Sequence, residues 1–176
     1  RANLVNVEEI LLESSLNDET SSRLFKIITS VVHYAESQEH GCTLVIDLNE
    51  QPVQISGQRL EKPLDLRLPQ NLELSKSLAK VDGALHIGAN AYLHGFACLL
   101  DGRTVAGEDR ARGARYNSAL RFTAEHDNIF VVVVSSDRPV SVIQEGVEIS
   151  AQCQWKSELS CAETHRTLRE WIETSN

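Results

Sequence analysis

The sequence has few of the features that assign a protein to a class at first sight. It contains no methionine and only 5% aromatic residues, and no apolar run approaches the length of about twenty residues that crosses a bilayer. A basic segment followed by an apolar one, the pattern of a signal peptide, is also lacking. We therefore expect a cytoplasmic protein without a membrane segment. The missing methionine and the start at Arg1 lead us to expect a piece of a longer protein.

Positive charge is scarce in the chain as a whole but concentrated in one segment. The formal net charge is −8 and the pI about 5.2, which disfavours the broad basic face that nucleic acids require, so we expect no direct nucleic-acid binding. The length of 176 residues is enough for one domain with its own core. Five arginines between positions 103 and 121 nevertheless predict a site for a small anionic ligand: Arg103, Arg110, Arg112, Arg115 and Arg121.

Metal-binding and nucleophile motifs are scarce too. None of the four cysteines has CxxC spacing, and Cys42 and Cys98 stand in apolar runs where a thiol acts as a small hydrophobic group, so we expect no zinc site. His86 and His94 lie on the two arms of a predicted hairpin and can face each other, but two imidazoles without a third ligand make a poor metal site. Gly-x-Ser-x-Gly and Walker-type loops are absent, which excludes common serine hydrolases and P-loop enzymes.

What the sequence does contain is an alternation of helical and strand-like patterns. Six apolar residues in succession, Ile129 to Val134, predict a central strand that is buried on both faces. Asp18 is in position to cap the second helix. The predicted elements are helices over 7–16 and 18–36, a strand over 42–46, an irregular connection with one edge strand over 53–68, a helix over 72–78, a hairpin of strands 84–87 and 91–100, a loop over 101–114, a helix over 118–124, a strand over 129–134, a hairpin of strands 140–143 and 147–149, and a tail helix over 160–173.

This order of elements predicts an α/β fold with a single mixed central β-sheet flanked by helices. We expect three parts: an N-terminal helical extension over 1–23, a main α/β domain over 24–150, and a C-terminal helical tail over 151–176 that leads to a further domain.

Three polar clusters stand at the ends of predicted strands, where open α/β sheets usually place ligands. They are Asp82-Gly83, the turn from Gly113 to Ser118, and Ser135-Ser136-Asp137. Asp82 can hold a divalent metal or accept a proton from a hydroxyl group, and Asp137 can complete the metal site. Both aspartates are equally typical of ordinary turns.

The Gly113 turn combines backbone N–H groups with Arg115 at the start of a helix. Donors and helix dipole point the same way there, which favours a phosphate group. A solvated arginine on a loop is the alternative interpretation.

Taken in order, these segments resemble the diadenylate cyclase (DAC) domain, the nucleotide-binding domain at the N-terminus of the DNA integrity scanning protein and in membrane-tethered cyclases. The resemblance extends from about Leu24 to Ile149. It rests on the following segments: Gly41 to Ile46, Ile55-Ser56-Gly57 before Leu64-Asp65, Asp82-Gly83-Ala84, Gly113 to Ala119, Asp127, and Ser135-Ser136-Asp137.

The resemblance implies a reaction and a set of residues. In the family, two ATP-loaded domains face each other as a homodimer or higher oligomer, and each 3′-oxygen attacks the partner's α-phosphate to give cyclic di-AMP and pyrophosphate, with Mg²⁺ or Mn²⁺ as cofactor. Asp82 and Arg115 are then the catalytic residues, and Asp82 and Asp137 the metal ligands. The residues expected to bind ATP or a related nucleotide are Gly83, Ala84, Arg112, Gly113, Ala114, Arg115, Tyr116, Asn117 and Ser118.

The chain departs from the family at two motifs. Arg115-Tyr116-Asn117 stands where the family has Arg-His-Arg, and Ser136 replaces an acidic residue. Neither Tyr116 nor Asn117 brings positive charge to a phosphate. Two hypotheses follow: an active diadenylate cyclase, or a catalytically degenerate domain that senses a nucleotide and regulates an attached effector domain.

Overall fold

The computed structural model describes residues 2–149, within which the chain forms four α-helices and seven strands. The predicted tail helix over 160–173 and the predicted segment 151–176 lie outside these residues. In chain order the elements are α1 Val5–Glu13, α2 Asp18–Ser37, β1 Cys42–Asp47, β2 Gln58–Asp65, α3 Pro69–Leu78, β3 Ala84–Gly88, β4 Tyr92–Cys98, α4 Ala114–Glu125, β5 Ile129–Val134, β6 Ser141–Gln144 and β7 Val147–Glu148.

The seven strands form one mixed sheet, as predicted. Its order is β2-β4-β3-β1-β5-β6-β7, in which β1 and β3 are parallel and every other neighbouring pair is antiparallel. The two strands with continuous apolar runs, β1 and β5, lie next to each other and are buried at every position. A strand in the middle of a sheet with both faces covered requires such a run.

Helices cover both faces of the sheet, so the core has two parts. On one face, α1 and α2 pack against alternate strand residues such as Leu44 and Val132. On the other face, α4 packs against the intervening residues, among them Val45 and Val131. Successive side chains of a strand point to opposite faces, and the two core clusters follow that alternation. None of the helices in residues 2–149 combines the length and apolar character needed to span a membrane.

Local predictions were wrong at helix starts, including that of α3, which begins at Pro69 rather than at position 72. Asn17, not Asp18, caps α2, because the Asn17 side chain accepts a hydrogen bond from the Thr20 N–H at 2.9 Å. Helix α4 begins at Ala114 rather than Ser118. Its first turn has little apolar character, so periodicity alone missed it, and the start of α4 follows the backbone turn at Gly113.

The β3–β4 hairpin is confirmed but irregular. Its register shifts twice between the pairs Ala84–Cys98 and Ile87–Leu93, and Ala97 takes a positive φ of 48°. The backbone of Gly83 lies against this irregular stretch: a Cβ at Gly83 would lie 2.5 Å from the Ala97 carbonyl carbon. A side chain at position 83 would therefore push the two segments apart.

Candidate functional site

The three polar clusters predicted from the sequence line a single cavity of about 490 Å³. Strand direction explains their meeting: β1 and β3 are parallel and β5 runs against them, so the starts of β1 and β3 lie at the same edge as the end of β5. The N-terminus of α4 lies at this edge too. We call this cavity the polar compartment; its lining is Gly41, Asp82, Gly83, Ala111, Arg112, Gly113, Ala114, Arg115, Val133, Val134, Ser135, Ser136, Asp137 and Arg138.

A smaller cavity of about 190 Å³ adjoins the polar compartment and shares Gly83, Ala114 and Arg115 with it. We call it the apolar compartment. Leu99 contributes to its lining and is 65% exposed, which is unusual for leucine and leaves an apolar surface open to a ligand. The other lining residues are Thr43, Ala84, Cys98, Leu100 and Ser118.

Arg115 and Asp82 face each other in the polar compartment, and Arg115 also lines the apolar one. The Arg115 Nη2 and Asp82 Oδ1 atoms are 3.6 Å apart, the Asp82 side chain is fully exposed, and the Arg115 side chain is about half exposed. Gly41 leaves room for the guanidinium, since a Cβ there would lie 3.0 Å from Arg115 Nη1. An ion pair this open to solvent is weak. Both groups are therefore free to exchange this contact for contacts with a ligand.

The start of α4 provides backbone donors beside Arg115. Gly113 has a φ of 85°, and no side chain caps the helix. The first intrahelical hydrogen bond runs from the Asn117 N–H to the Gly113 carbonyl, so the N–H groups of the three residues between them stand outside the helical ladder. A Cβ on Gly113 would meet nothing within 4 Å, so glycine is required here for its backbone conformation and not for space.

Arg112 lines the polar compartment, but its guanidinium is bound by residues that lie outside this compartment. It makes a two-point ion pair with Glu148, donates to Ser141 Oγ at 2.8 Å, and lies 4.0 Å from the centre of the Tyr116 ring. Burial alone would raise the pKa of Glu148, yet hydrogen bonds from Arg112 and Ser141 hold that pKa below its ordinary value. The hydrogen bonds to Glu148 raise the pKa of Arg112.

Tyr116 and Asn117 were predicted to bind nucleotide, and both make contacts within the protein instead of lining either compartment. The Tyr116 hydroxyl donates to Glu148 Oε2 at 3.2 Å. Asn117 accepts from the Asp109 N–H at 3.0 Å and donates to the carbonyls of Asp109 and Gly113. Asn117 thus ties the segment before α4 to the helix. Of the three residues at the position of the Arg-His-Arg motif, Arg115 alone lines the cleft.

The remaining arginines of the sequence cluster are dispersed. Arg121 pairs with Glu108 at 2.6 Å, and this pair braces the loop that precedes α4. Arg103 lines a separate surface groove beside Glu125 and His126. The cluster is therefore not one basic patch, and Arg112 and Arg115 are its members at the polar compartment.

The chemistry of two carboxylates suits a metal that arrives with a nucleotide. Asp82 and Asp137 both line the polar compartment. Asp137 accepts a hydrogen bond from Ser135 Oγ at 2.6 Å, which is the main reason that its pKa is lowered. No set of three or more metal-binding side chains occurs within residues 2–149. Nucleotide-bound Mg²⁺ usually needs only one or two carboxylates in addition to phosphate oxygens, so these residues fit it.

Sequence reasoning missed three parts of the site. Leu99 and Leu100 were placed in the second strand of the predicted hairpin, and neither Gly41 nor Arg138 was named as a site residue. All line one of the two compartments. The pair of leucines directly before Asp101-Gly102 was the available signal, because apolar side chains that continue past a strand end have no sheet neighbour to cover them.

The family model described as DisA bacterial checkpoint controller nucleotide-binding (DAC) matches residues 29–148. The chain therefore belongs to this family of diadenylate cyclase-type nucleotide-binding domains, and the resemblance inferred from its motifs is confirmed. No curated protein matches the chain at a significant level.

Solved structures support the same fold. DacA from Staphylococcus aureus, determined as a double cysteine mutant, is 19% identical with a TM-score of 0.60, over 74% of this chain and 87% of that one. A hypothetical membrane spanning protein from Bacillus cereus is 22% identical with a TM-score of 0.57, over 70% of this chain. This chain spans 60% of the length of the Bacillus cereus protein. At these identities the likeness establishes the α/β architecture.

Proposed function

We propose that the domain condenses two ATP molecules into cyclic di-AMP with release of pyrophosphate. The observation that carries this proposal is the arrangement of Asp82 and Arg115: an exposed carboxylate and an open guanidinium face each other where a polar and an apolar compartment join. A nucleotide has the same two-part character, with an apolar base and an anionic phosphate chain.

The base fits the apolar compartment and the phosphates fit the polar one. Leu99 and Leu100 supply apolar surface for a flat ring, and Gly83 lets the ring approach the backbone. The phosphates lie at the start of α4, where the free N–H groups after Gly113, the helix dipole and the Arg115 guanidinium all favour negative charge. Asn117 acts indirectly by fixing the turn that presents these donors.

Asp82 and Arg115 supply the chemistry from the chain's own residues. Asp82 accepts the proton of the attacking 3′-hydroxyl, and its exposure keeps it within reach of a second nucleotide. Arg115 stabilises the charge that develops on the transferring phosphoryl group. A divalent cation, Mg²⁺ or Mn²⁺, held by Asp82, Asp137 and phosphate oxygens would neutralise part of the phosphate charge there.

The reaction requires two copies of the domain. Residues 2–149 offer one such pair of compartments, whereas two ATP molecules must each be bound and attacked. The proposal therefore includes a face-to-face homodimer in which Asp82 of each copy is turned towards the partner's nucleotide. ATP as substrate agrees with a cytoplasmic location.

A second candidate function is supported by one specific observation. Tyr116 and Asn117 are committed to Glu148 and to the segment before α4, so the cleft has fewer cations than the Arg-His-Arg motif provides. A domain that binds a nucleotide without turning it over, and regulates an attached effector domain, agrees with that arrangement.

Incubation of the protein with ATP and Mn²⁺, followed by chromatography, separates the two functions. We expect cyclic di-AMP and pyrophosphate, and loss of both in Asp82→Asn. Asp101→Asn is a matched control, since Asp101 is another exposed aspartate followed by glycine but lies outside both compartments. If ATP binds and no product forms, the regulatory function replaces the catalytic one. If Asp82→Asn keeps full activity, the role given to Asp82 is wrong.

A further inference from the structure

A third cavity, of about 330 Å³, lies beyond the apolar compartment on the same face of the sheet. It is formed by β2, β3, β4 and the loop that follows β1, and Cys98 is the residue that it shares with the apolar compartment. Both His86 and His94 line it, with ring centres 5.6 Å apart. We call it the imidazole cavity. The nucleotide proposed above makes no use of it.

His86 is fixed in the cavity by a buried carboxylate. Its Nε2 lies 2.8 Å from Asp47 Oδ2, and the side chain of His86 is 6% exposed. Asp47 also accepts hydrogen bonds from the Val53 N–H and from two groups of Asn49. Burial alone would raise the pKa of Asp47, but these donors hold that pKa below its ordinary value, so Asp47 is a carboxylate at neutral pH. We therefore assign the proton to His86 Nε2.

The second ring nitrogen of His86 is left available. Within residues 2–149, no hydrogen bond to His86 Nδ1 is formed. A neutral imidazole that carries its proton on Nε2 is an acceptor at Nδ1. The cavity therefore offers a fixed acceptor, which suits a hydroxyl or amine group of a ligand.

His94 provides the second imidazole, and one of its ring nitrogens lacks a hydrogen bond within residues 2–149. Its Nε2 is buried without a hydrogen-bond partner in the described part of the chain. The ring packs on Gly88, where a Cβ would lie 2.6 Å from that nitrogen. Burial lowers the pKa of His94, and the nearby His86 and Arg59 lower it further, while Asp47 opposes them. A buried polar atom without a partner costs stability, so each such atom calls for an explanation.

Arg59 adds a positive charge at the mouth of the cavity. It is exposed on the edge strand β2 and makes no ion pair with a carboxylate among residues 2–149. In the sheet register it stands opposite Gly95, whose missing side chain leaves the space between Arg59 and the imidazoles open. An unpaired cation beside two imidazoles favours an anion over a metal. No third metal-binding side chain completes a set with the two histidines in this part of the protein.

We propose that the imidazole cavity is a second ligand site, separate from the nucleotide compartments, which binds a small anion that also carries a hydroxyl group. Arg59 holds the anionic oxygens beside the His94 ring, and His86 accepts a hydrogen bond from the hydroxyl. The anion is a carboxylate or a phosphate, because both present the same oxygens. The volume lies at the lower end of the range of small-molecule sites and suits a ligand much smaller than ATP.

Long-range ¹H–¹⁵N spectra of the histidine rings test this proposal directly. Titration with lactate, inorganic phosphate and acetate should shift the His86 and His94 signals with lactate or phosphate, in a saturable way on the order of millimolar. The His33 signals should not move, because His33 lies on α2, which covers the other face of the sheet. Acetate lacks the hydroxyl and should bind several-fold more weakly than lactate. A response to lactate alone identifies a carboxylate ligand, and a response to phosphate alone identifies a phosphate ligand.

Three variants keep the test specific. Arg59→Gln should weaken binding about tenfold, whereas Arg59→Lys, which keeps the charge, should retain most of it. Arg115→Ala should leave the response unchanged, which distinguishes this site from phosphate bound in the polar compartment. Arg59 is exposed, so both substitutions at position 59 should preserve the fold, and unchanged backbone spectra verify this. Absence of any shift at His86 and His94, an equal response in Arg59→Gln, or loss of the response in Arg115→Ala would each overturn the proposal.

Discussion

The guanidinium of Arg112 forms a two-point ion pair with the carboxylate of Glu148, with both nitrogen–oxygen distances at 3.1 Å. Arg112 lines the polar compartment and Glu148 is the last residue of β7, so the pair connects the cleft to the far edge of the sheet. The Tyr116 hydroxyl and Ser141 Oγ complete the cluster. Tyr116, which stands where the family has histidine, is thus part of a structural contact.

Removal of the charge on Glu148 should destabilise the domain. The Glu148 and Arg112 side chains are 14% and 27% exposed, so Glu148→Gln leaves a partly buried guanidinium without its partner. We expect the free energy of unfolding to fall by about 1–3 kcal/mol in urea denaturation. Glu145→Gln, at an exposed position of the β6–β7 turn, is the control and should change little. Equal stability of Glu148→Gln and the unmodified chain would show that the ion pair contributes nothing.

Two glycines of the site should respond differently to the same substitution. Gly83→Ala places a Cβ 2.5 Å from backbone at Ala97, at a φ of 107°. Gly113→Ala meets no atom within 4 Å and has only its φ of 85° to accommodate. We expect losses of unfolding free energy of about 3 kcal/mol or more for Gly83→Ala and about 1–2 kcal/mol for Gly113→Ala. The reverse order would contradict the close approach of Gly83 to β4.

Asp47 should make stability depend on pH in the acidic range. Its pKa in the folded protein is below its ordinary value, because hydrogen bonds from His86, Val53 and Asn49 outweigh burial. Its contribution is therefore complete above the unfolded-state pKa of about 4 and is lost as the pH falls towards the folded-state pKa.

Asp47→Asn measures that contribution. At neutral pH it should reduce the free energy of unfolding by about 2–4 kcal/mol. Urea denaturation at a series of pH values should show the difference between Asp47→Asn and the unmodified chain shrinking below a pH of about 4. A difference that is constant over the whole range would mean that the carboxylate charge is not what stabilises the fold.

Asn117 should control the order of the segment before α4. Its side chain makes three hydrogen bonds to the backbone of Asp109 and Gly113. Asn117→Ala should therefore loosen this segment, and trypsin should cleave after Arg110 and Arg112 several-fold faster while its cleavage after Arg23 stays the same. Unchanged cleavage after Arg110 and Arg112 would refute the role given to Asn117.

The sequence predicted an element correctly where the residues of that element alone indicate its position in the fold. The run from Ile129 to Val134 is apolar at each position because β5 is covered on both faces. A central strand could therefore be predicted from this run without knowledge of the elements that pack on it. Gly113 likewise marks a backbone conformation that few other residues adopt, so the turn before α4 could be foreseen, although the helix itself was predicted to start four residues too late.

Other features depend on contacts between distant segments and could not be predicted. Tyr116 and Glu148 are 32 positions apart, and no local pattern indicates that they meet. The need for glycine at position 83 arises from the bulged backbone at Ala97. His86 and His94 were correctly placed on facing strands, but the burial of Asp47 beneath them follows only from the parallel pairing of β1 and β3.

Calorimetric titration with ATP tests the central claim that Arg115 and the start of α4 form a nucleotide-phosphate site. We expect the unmodified domain to bind ATP and Arg115→Ala to bind it at least about tenfold more weakly. Arg23→Ala, which removes an arginine from an exposed ion pair on α2, should bind ATP as the unmodified domain does. Equal affinity of Arg115→Ala and the unmodified domain would contradict the account.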